Sequence, residues 1–435
     1  MPIAPPDVPS GPPHDLPPDL RSDLRSDLPS DLQPDPLSRR VRAMRRSDVR
    51  DLLRHAGLPD MISLAGGLPA AELFDVEGLR AATLAALDDA PASALQYGMT
   101  EGQPALREAI AALLAGRGIA AGAEDLVVTA GSQQGLDLVA RALLDDGDAM
   151  VVERPSYLAA LQAFGLASPR WCTIGVDADG GRVEDLDAAC AGVRPKLVYV
   201  VPDFANPTGA CMSVARRRAL VRWALRHQVT VLEDDPYGAL RTRGEPLPSI
   251  AALAGEVPGA SRWIAQASTL SKTVAPGLRT GWLLLPPWLR DAVVRLKQAA
   301  DLHTSSFAQE VARHYLASGR LPERLALVRA EYARRRDALA DALHAGFGDR
   351  LALQVPDGGM FLWGRFTDGT DTRALLPHAL ERGTMFVPGD AFFVDAADPA
   401  SLRLNFSAAP PERLREGARR LRAAHAALHA RGVAA

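Results

Sequence analysis

The sequence STLSKTVAPGLRTG at residues 268–281 lies between two apolar runs, and the rest of the chain is arranged around it. Residues 263–267 read WIAQA and predict a buried strand that enters the loop, and a second apolar run leaves it at residues 282–285. Small hydroxyl side chains and Arg279 in such a loop suit the binding of a phosphate group. Lys272, held among them beside an apolar strand end, suits the formation of a Schiff base. The alternative is a solvent-exposed polar loop that contains a Ser-Lys pair.

Length and composition favour a globular protein of two domains. The chain has 435 residues, of which 47% are hydrophobic and 23% charged, and its net charge is −3. This charge gives no strong field towards nucleic acid or a membrane, and no apolar run approaches the roughly 18 residues of a membrane span. The three cysteines form no CxxC pattern, which favours reduced thiols and a cytoplasmic protein. We expect no metal site, because none of the nine histidines pairs with a Glu as a zinc helix requires.

Residues 1–38 differ in composition from the rest of the chain. Eleven of the 34 prolines lie within the first 36 residues, where an Asp-Leu pair recurs every four residues. That period suits a helix, but the prolines interrupt it, so we predict a disordered tail. The tail lacks the apolar stretch of a signal peptide. Docking to a partner is an alternative role for it.

Beyond the tail, short apolar runs alternate with helical patterns. The apolar runs that predict strands lie at residues 126–129, 149–153, 170–173, 197–201 and 229–233. Helical patterns separate them, which indicates a mostly parallel sheet covered on both faces by helices. A basic helix at residues 39–55 is predicted before this sheet. A long helical region at residues 289–318 and a smaller α/β domain are predicted after it.

Polar side chains follow several of the predicted strands. Ligands of such sheets bind beyond the carboxyl ends of the strands. Asn206 follows one strand, Asp234 and Tyr237 follow the next, and Lys272 follows a third. The glycine turn AGSQQG at residues 130–135 leads into a helix whose free N–H groups suit an anion. We therefore expect amide, carboxylate, phenol and amine groups to converge at one edge, although each alone also fits a turn or a cap.

Taken together, several motifs resemble those of a known enzyme family. In chain order between residues 50 and 407 they are ISLAGGLPAAELF, LQYGMTEG, AGSQQGLDLVA, ERPSY, NPTG, EDDPY, SKTVAPGLRTGW, ADLHTS, GGMFLW, VPGDAFF and LRLNFS. The chain resembles the fold-type I pyridoxal-phosphate aminotransferases of class I/II, and in particular the 2-aminoadipate and broad-specificity aromatic branch. The resemblance implies a large domain with a mostly parallel central sheet and a smaller α/β domain. The expected division is a tail at 1–38, an N-terminal segment contributing to the small domain and the active site at 39–75, a large cofactor-binding domain at 76–300 and a small domain at 301–435.

The resemblance also implies roles for individual residues. Lys272 is expected to bind pyridoxal 5′-phosphate as a Schiff base and to transfer the substrate proton, for which its pKa must fall. Asp234 is expected to pair with the pyridinium nitrogen, while Asp235 points elsewhere. The other expected cofactor contacts are Asn206 and Tyr237 to the ring oxygen, Tyr157 stacked on the ring, Ser132, Gln133, Thr269, Ser271 and Arg279 to the phosphate, and Tyr97 to the phosphate of the neighbouring subunit.

The implied reaction moves an amino group between an L-amino acid of 2-aminoadipate, aromatic or branched-chain type and a 2-oxo acid such as 2-oxoglutarate, in a homodimer with shared sites. Arg403 is expected to bind the substrate α-carboxylate, near Asn206 and the backbone of Gly67. Arg50 is expected to meet a side-chain carboxylate, or else to be a solvated surface charge. A lyase or decarboxylase on the same scaffold is the enzymatic alternative. An aminotransferase-like regulator is the other, although 38 residues before the domain are too few for a DNA-binding domain.

Overall fold

An eight-stranded sheet carries the polar loops singled out in the sequence. In the computed structural model, which describes residues 37–44, 52, 54 and 57–432, the chain divides into two units, Met1–Ala43 and Met44–Ala435. The described part of the first unit contains the short helix α1, Arg39–Ala43. The predicted tail falls almost wholly outside the described residues, as does most of the rest of the basic helix predicted at 39–55. The domain boundaries expected at residues 75 and 300 stay predictions.

The described residues of the second unit form three sheets. Their strands are β1 Ile62–Ser63, β2 Leu126–Thr129, β3 Ala149–Arg154, β4 Arg170–Asp177, β5 Gly180–Gly181, β6 Leu197–Val200, β7 Thr230–Asp234, β8 Ile264–Thr269, β9 Gly281–Leu284, β10 Leu351–Gln354, β11 Phe361–Phe366, β12 Thr384–Met385, β13 Val387–Pro388 and β14 Ser401–Asn405. The large sheet has the order β2-β9-β8-β7-β6-β3-β4-β5. β4, β3, β6, β7 and β8 run parallel, and β9 runs antiparallel to both of its neighbours. The expectation of a mostly parallel sheet is confirmed.

Helices cover the large sheet and connect the strands of the second unit. They are α2 Val76–Asp88, α3 Pro91–Leu95, α4 Pro104–Ala115, α5 Ser132–Leu143, α6 Leu158–Gly165, α7 Leu186–Cys190, α8 Val214–His227, α9 Ile250–Gly255, α10 Pro287–Asp301, α11 Ser306–Ala317, α12 Leu321–Phe347, α13 Thr372–Leu380 and α14 Pro411–Gly432. Ser, Asp and Pro residues begin several of them, as their capping preferences predict. The helical region predicted at residues 289–318 is two helices, because the chain turns at Leu302, whose φ is +64°.

The core lies on both faces of the large sheet. Every residue of β2, β6, β7 and β8 is buried, which explains why these strands read as continuous apolar runs. β10, β11, β14 and β13 form a separate antiparallel sheet, against which α12, α13 and α14 pack. Among the described residues, no helix combines the length and hydropathy needed to cross a membrane.

Candidate active site

The carboxyl ends of the large sheet bring the predicted site together. Thr129 at the end of β2 and Thr269 at the end of β8 both pair with Gly281, the first residue of the antiparallel strand β9. A Cβ atom on Gly281 would lie 2.8 Å from the backbone nitrogen of Ser132, so this position requires glycine. The first turn of α5 can therefore approach the end of β9 closely. Asp234 ends β7 at the same edge, where it pairs with Ala267 of β8.

One side of this edge is built to hold an anion. α5 begins at Ser132, after Gly131 with φ +83°, and the first N–H groups of a helix have no partner within the helix. Thr269 Oγ1 lies 2.8 Å from Ser271 Oγ, which places two hydroxyls together. Arg279 has φ +48° and donates from Nη2 to the carbonyl oxygen of Ala130 at 2.9 Å. Hydroxyls, amides and a guanidinium group thus meet in one place, which suits a phosphate.

The side-chain amide of Gln133 is engaged away from the phosphate site. Its Nε2 atom donates a 2.7 Å hydrogen bond to the carbonyl oxygen of Ala159 in α6. The side chain therefore ties α5 to α6, and the backbone N–H in the first turn of α5 is the group left for an anion.

Lys272 follows β8 and is held by the glycine loop that precedes α2. Its Nζ atom donates a 2.9 Å hydrogen bond to the carbonyl oxygen of Gly67. Burial lowers the pKa of Lys272 from 10.5 to about 8, and the positive charges of Arg403 and Arg279 act in the same direction. About a tenth of this amine is therefore neutral at pH 7, far more than for an ordinary lysine. A neutral amine can act as a nucleophile or as a proton acceptor.

Asp234 is a buried carboxylate in which one oxygen accepts a hydrogen bond and the other does not. Tyr199 donates from its hydroxyl to Oδ2 of Asp234 at 2.8 Å, while Oδ1 has no hydrogen-bond partner among the described residues. Burial raises the pKa of Asp234 to about 7, and the neighbouring charges of Asp235 and Glu233 add to the rise. Asp235 instead pairs with Arg117, with 2.6 Å between Nη2 and Oδ2, so the prediction that it points elsewhere is confirmed.

Arg403 lies on β14 of the smaller sheet and is buried. Its Nη1 atom donates to Oδ1 of Asn206 at 2.7 Å, and its Nη2 atom donates to the carbonyl oxygen of Ala65. Its guanidinium carbon lies 4.4 Å from the ring centre of Phe361 and 5.0 Å from that of Phe392. Burial lowers its pKa to about 10. Packing and hydrogen bonds therefore fix the plane of a cation that can bind a carboxylate by two parallel bonds.

A cavity of about 150 Å³ joins these groups. Its lining comprises Ser132, Gln133, Tyr157, Val201, Asn206, Asp234, Pro236, Tyr237, Thr269, Ser271, Lys272, Pro276 and Arg279. Burial raises the pKa of Tyr157 to about 12 and also raises the pKa of Tyr237. Both phenols therefore stay protonated and can donate hydrogen bonds. Ten residues expected at the site thus surround one space.

The remaining expected residues lie at or beyond the margin of this cavity. Arg403 adjoins it through Asn206, and Gly67 adjoins it through Lys272. Tyr97 is 78% exposed, and its ring contacts that of His303 edge-on at 5.7 Å, so it does not reach the cavity of its own chain. Arg50 lies outside the described residues.

Sequence reasoning missed three residues that support the site. Tyr199 positions Asp234, and Phe361 and Phe392 flank Arg403. All three sit in apolar stretches, where they read as ordinary core residues. The available signal for Tyr199 was its place in the fully buried strand LVYV, because a buried tyrosine hydroxyl needs a partner.

Comparisons with known proteins show the family to which the chain belongs. The sequence model of the family "Aminotransferase class I and II" matches residues 60–421. Aromatic-amino-acid aminotransferase 1 of Thermococcus litoralis is 39% identical over 88% of this chain and 92% of that protein. The 2-aminoadipate transaminase of Thermus thermophilus is 36% identical over 86% of this chain and 92% of its own.

A solved structure shows the same likeness in three dimensions. The α-aminoadipate aminotransferase LysN of Thermus thermophilus, complexed with N-(5′-phosphopyridoxyl)-L-leucine, superposes with a TM-score of 0.84 at 34% identity. The superposition covers 91% of this chain and 98% of that structure. The expected fold, a fold-type I arrangement, is confirmed. The chain therefore belongs to the class I and II aminotransferase family and is a pyridoxal-phosphate-dependent aminotransferase.

Proposed function

We propose that this aminotransferase exchanges an amino group between an L-amino acid of 2-aminoadipate, aromatic or branched-chain type and 2-oxoglutarate, with Lys272 as the cofactor-binding and proton-transferring residue. The observation that carries the proposal is the convergence of three groups around one cavity. These are the amine of Lys272 with its lowered pKa, the half-satisfied carboxylate of Asp234 and the planar guanidinium of Arg403.

The residues at the sheet edge fit pyridoxal 5′-phosphate. The free Oδ1 atom of Asp234 is buried, and a buried acceptor without a donor is costly unless a ligand supplies one. A pyridinium N–H would supply it and would favour the charged carboxylate. The absent Cβ of Gly281 leaves room at the N-terminus of α5, where Ser271 and Arg279 complete a phosphate site. Tyr157 and Asn206 line the space between the two ends.

When bound, the cofactor supplies an electron sink for the electron pair left by a broken Cα–H bond of the substrate. The protein supplies the geometry and the proton transfer. Arg403 binds the α-carboxylate through its fork, with Asn206 holding the guanidinium plane. With the cofactor in place, Lys272 Nζ would accept the proton from Cα of the substrate and would return it to C4′ of the cofactor. Its lowered pKa makes it an effective base near neutral pH.

The choice of substrate class rests on the relatives. One is named for aromatic amino acids and another for 2-aminoadipate, and the LysN structure contains a leucine derivative. This chain is similar to all three over at least 86% of its length. We therefore propose that the substrate pocket of this chain accepts both acidic and apolar side chains. Arg50 is the proposed contact for the acidic ones.

Two further parts of the proposal concern assembly and location. Tyr97 is exposed in the single chain and carries a hydroxyl suited to a phosphate, so we assign it to the active site of the partner subunit in a homodimer. We also propose a cytoplasmic location, supported by three free cysteines and the absence of a disulfide among the described residues.

A direct assay tests the function. Purified holoenzyme is incubated with 2-oxoglutarate and either L-2-aminoadipate, L-phenylalanine or L-leucine, and the glutamate formed is measured. We expect glutamate in equal amounts to the 2-oxo acid produced from the donor. Release of CO₂ or of a decarboxylated amine without glutamate would instead support the lyase alternative. A protein that binds the cofactor but converts none of the three donors would contradict the proposal.

A further inference from the structure

The clearest grouping outside the active site lies at the C-terminal end of α14. His425 and His429 stand one helical turn apart on this helix, and both approach the loop that follows β11. Asp368 and Thr370 of that loop face them. The ligand atoms of the two histidines and of Asp368 all lie within 4.8 Å of one another. We call these four residues the His-Asp cluster.

Hydrogen bonding alone does not account for this cluster. The Nε2 atom of His425 has three polar neighbours: Thr370 Oγ1 at 3.0 Å, Asp368 Oδ2 at 3.1 Å and His429 Nε2 at 3.2 Å. An imidazole Nε2 atom offers either one proton or one lone pair, so it can make one good hydrogen bond and not three. Thr370 also lies 2.9 Å from His429 Nε2 and donates its proton to Asp368 Oδ1 at 2.6 Å.

The distances match those around a tetrahedral cation. Zinc binds histidine nitrogen and carboxylate oxygen at ~2.0–2.2 Å, which places neighbouring ligand atoms about 3.3 Å apart. The three edges among the two Nε2 atoms and Asp368 Oδ2 measure 3.1, 3.2 and 3.8 Å. Two imidazoles and one carboxylate are a ligand set for a borderline divalent ion. The Thr370 hydroxyl oxygen lies 3.0 and 2.9 Å from the two Nε2 atoms, so this oxygen or a water molecule can supply the fourth ligand.

The surroundings hold one ligand firmly and leave another accessible. The ring of His425 is buried and stacks on Phe366, with ring centres 4.9 Å apart, while Phe347 meets it edge-on at 5.6 Å. Asp368 and His429 are exposed. An ion can therefore enter from solvent and meet a ligand whose orientation is already set, which lowers the entropic cost of binding. α14 also ends three residues beyond His429, and the negative end of its dipole favours a cation.

We propose that the His-Asp cluster is a binding site for a divalent transition-metal ion of the zinc type, which joins α14 to the loop after β11. This departs from the sequence-based expectation of no metal, which considered only histidines paired with a glutamate. The cluster shares no residue with the active-site cavity. Phe361, which contacts Arg403, and Phe366, which contacts His425, lie at opposite ends of β11. The expected role is therefore structural.

Untagged holoenzyme, treated with a chelator and dialysed, is titrated with Zn²⁺ by calorimetry, and the bound metal is counted by elemental analysis. The main variant is His429→Gln, which changes an exposed ligand and spares the buried ring of His425. Asp368→Asn is the second variant. The matched control is His344→Gln, because His344 is exposed on α12 and lies outside the cluster.

We expect wild type and His344→Gln to bind one zinc ion per chain and to unfold at a higher temperature when zinc is added. His429→Gln and Asp368→Asn should bind zinc at least ~10- to 100-fold more weakly. A loss of that size is typical when the changed residue only contacts a metal ligand, and these two residues are proposed to be ligands themselves. Transaminase activity should be equal in all four proteins. Zinc binding that is the same in wild type and in both cluster variants would overturn the proposal. So would a wild type that binds no zinc up to millimolar concentration.

Discussion

The Nη1 atom of Arg403 donates a 2.7 Å hydrogen bond to Oδ1 of Asn206, across 197 residues of sequence. Arg403 belongs to the smaller antiparallel sheet, and Asn206 belongs to a loop at the carboxyl edge of the large sheet. The two sheets therefore meet at the point where the substrate carboxylate is proposed to bind. Closure of one sheet against the other would change the position of that carboxylate relative to Lys272.

Arg403→Lys should lower kcat/KM for every amino-acid donor by about 100-fold. A lysine keeps the positive charge but loses the planar fork and its fixed orientation, and a charge-assisted contact of ~1.5–3 kcal/mol is lost. Arg365→Lys is the matched control, because Arg365 is exposed on the neighbouring strand β11 and pairs with Asp398 at the surface. Steady-state kinetics should place the control within twofold of wild type. Equal effects of the two substitutions would refute the role of Arg403.

The stability of the cofactor-free protein should fall as the pH rises from about 4 to about 7. The pKa of Asp234 is raised from 3.8 to about 7 in the folded protein, so the folded state holds a proton that the unfolded chain releases. The stabilisation is complete below the unfolded pKa and is lost as the pH rises through the folded pKa. The free energy of unfolding should differ between pH 5 and pH 8, and Asp234→Asn should reduce this difference by about 2 kcal/mol.

Chemical denaturation of the two cofactor-free proteins at both pH values measures this. Glu153 and Glu233 are buried with pKa values also raised to about 7, so part of the pH dependence should remain in the variant. An identical loss of stability in wild type and Asp234→Asn would show that this carboxyl group is not the titrating one.

Mixing a weakened variant with an inactive one should restore activity if the active sites are shared. Tyr97→Phe weakens the phosphate site in the partner, and Lys272→Ala removes the base. In a mixed dimer, one site combines an intact Lys272 with an intact Tyr97 from the other chain, so up to about a quarter of wild-type activity should return after subunit exchange. Activity of the mixture that stays at the average of the two variants would place Tyr97 outside the partner's site.

Arg50→Ala should discriminate between classes of substrate. If Arg50 binds the side-chain carboxylate, its loss lowers kcat/KM for glutamate and 2-aminoadipate by roughly ten- to a hundredfold. Activity on leucine and phenylalanine should barely change, and these substrates serve as the internal control. A similar loss on acidic and apolar donors would assign Arg50 to the fold or to the cofactor.

The residues at the sheet edge could be predicted because each strand is an apolar run that ends in a polar residue. Asp234 and Lys272 stand out for this reason, and the structure places both in one cavity. Tyr199 could not be recognised, since its polar atom is hidden within a buried strand. The break at Leu302 depends on a single positive φ angle, and no glycine marks it.

Long-range pairing was also beyond sequence reasoning. The antiparallel direction of β9 follows from the tight loop at residues 268–281, but its insertion between β2 and β8 depends on contacts more than 150 residues apart. The meeting of Asp368 with His429 likewise depends on how α14 packs near the smaller sheet. Such long-range contacts leave no pattern in the spacing of residues along the chain. The alternation of strands and helices does leave such a pattern and could be predicted.

Reduction of the holoenzyme with borohydride, followed by peptide mapping, identifies the lysine that binds the cofactor. The chain has three lysines, Lys196, Lys272 and Lys297, so the outcome is unambiguous. Lys297 is also buried, but its Nζ atom pairs with Asp301 at 2.8 Å, and it does not line the active-site cavity. We predict that the cofactor becomes irreversibly attached to the peptide containing Lys272 alone. Attachment to Lys297, or no attachment to any lysine, would contradict the account.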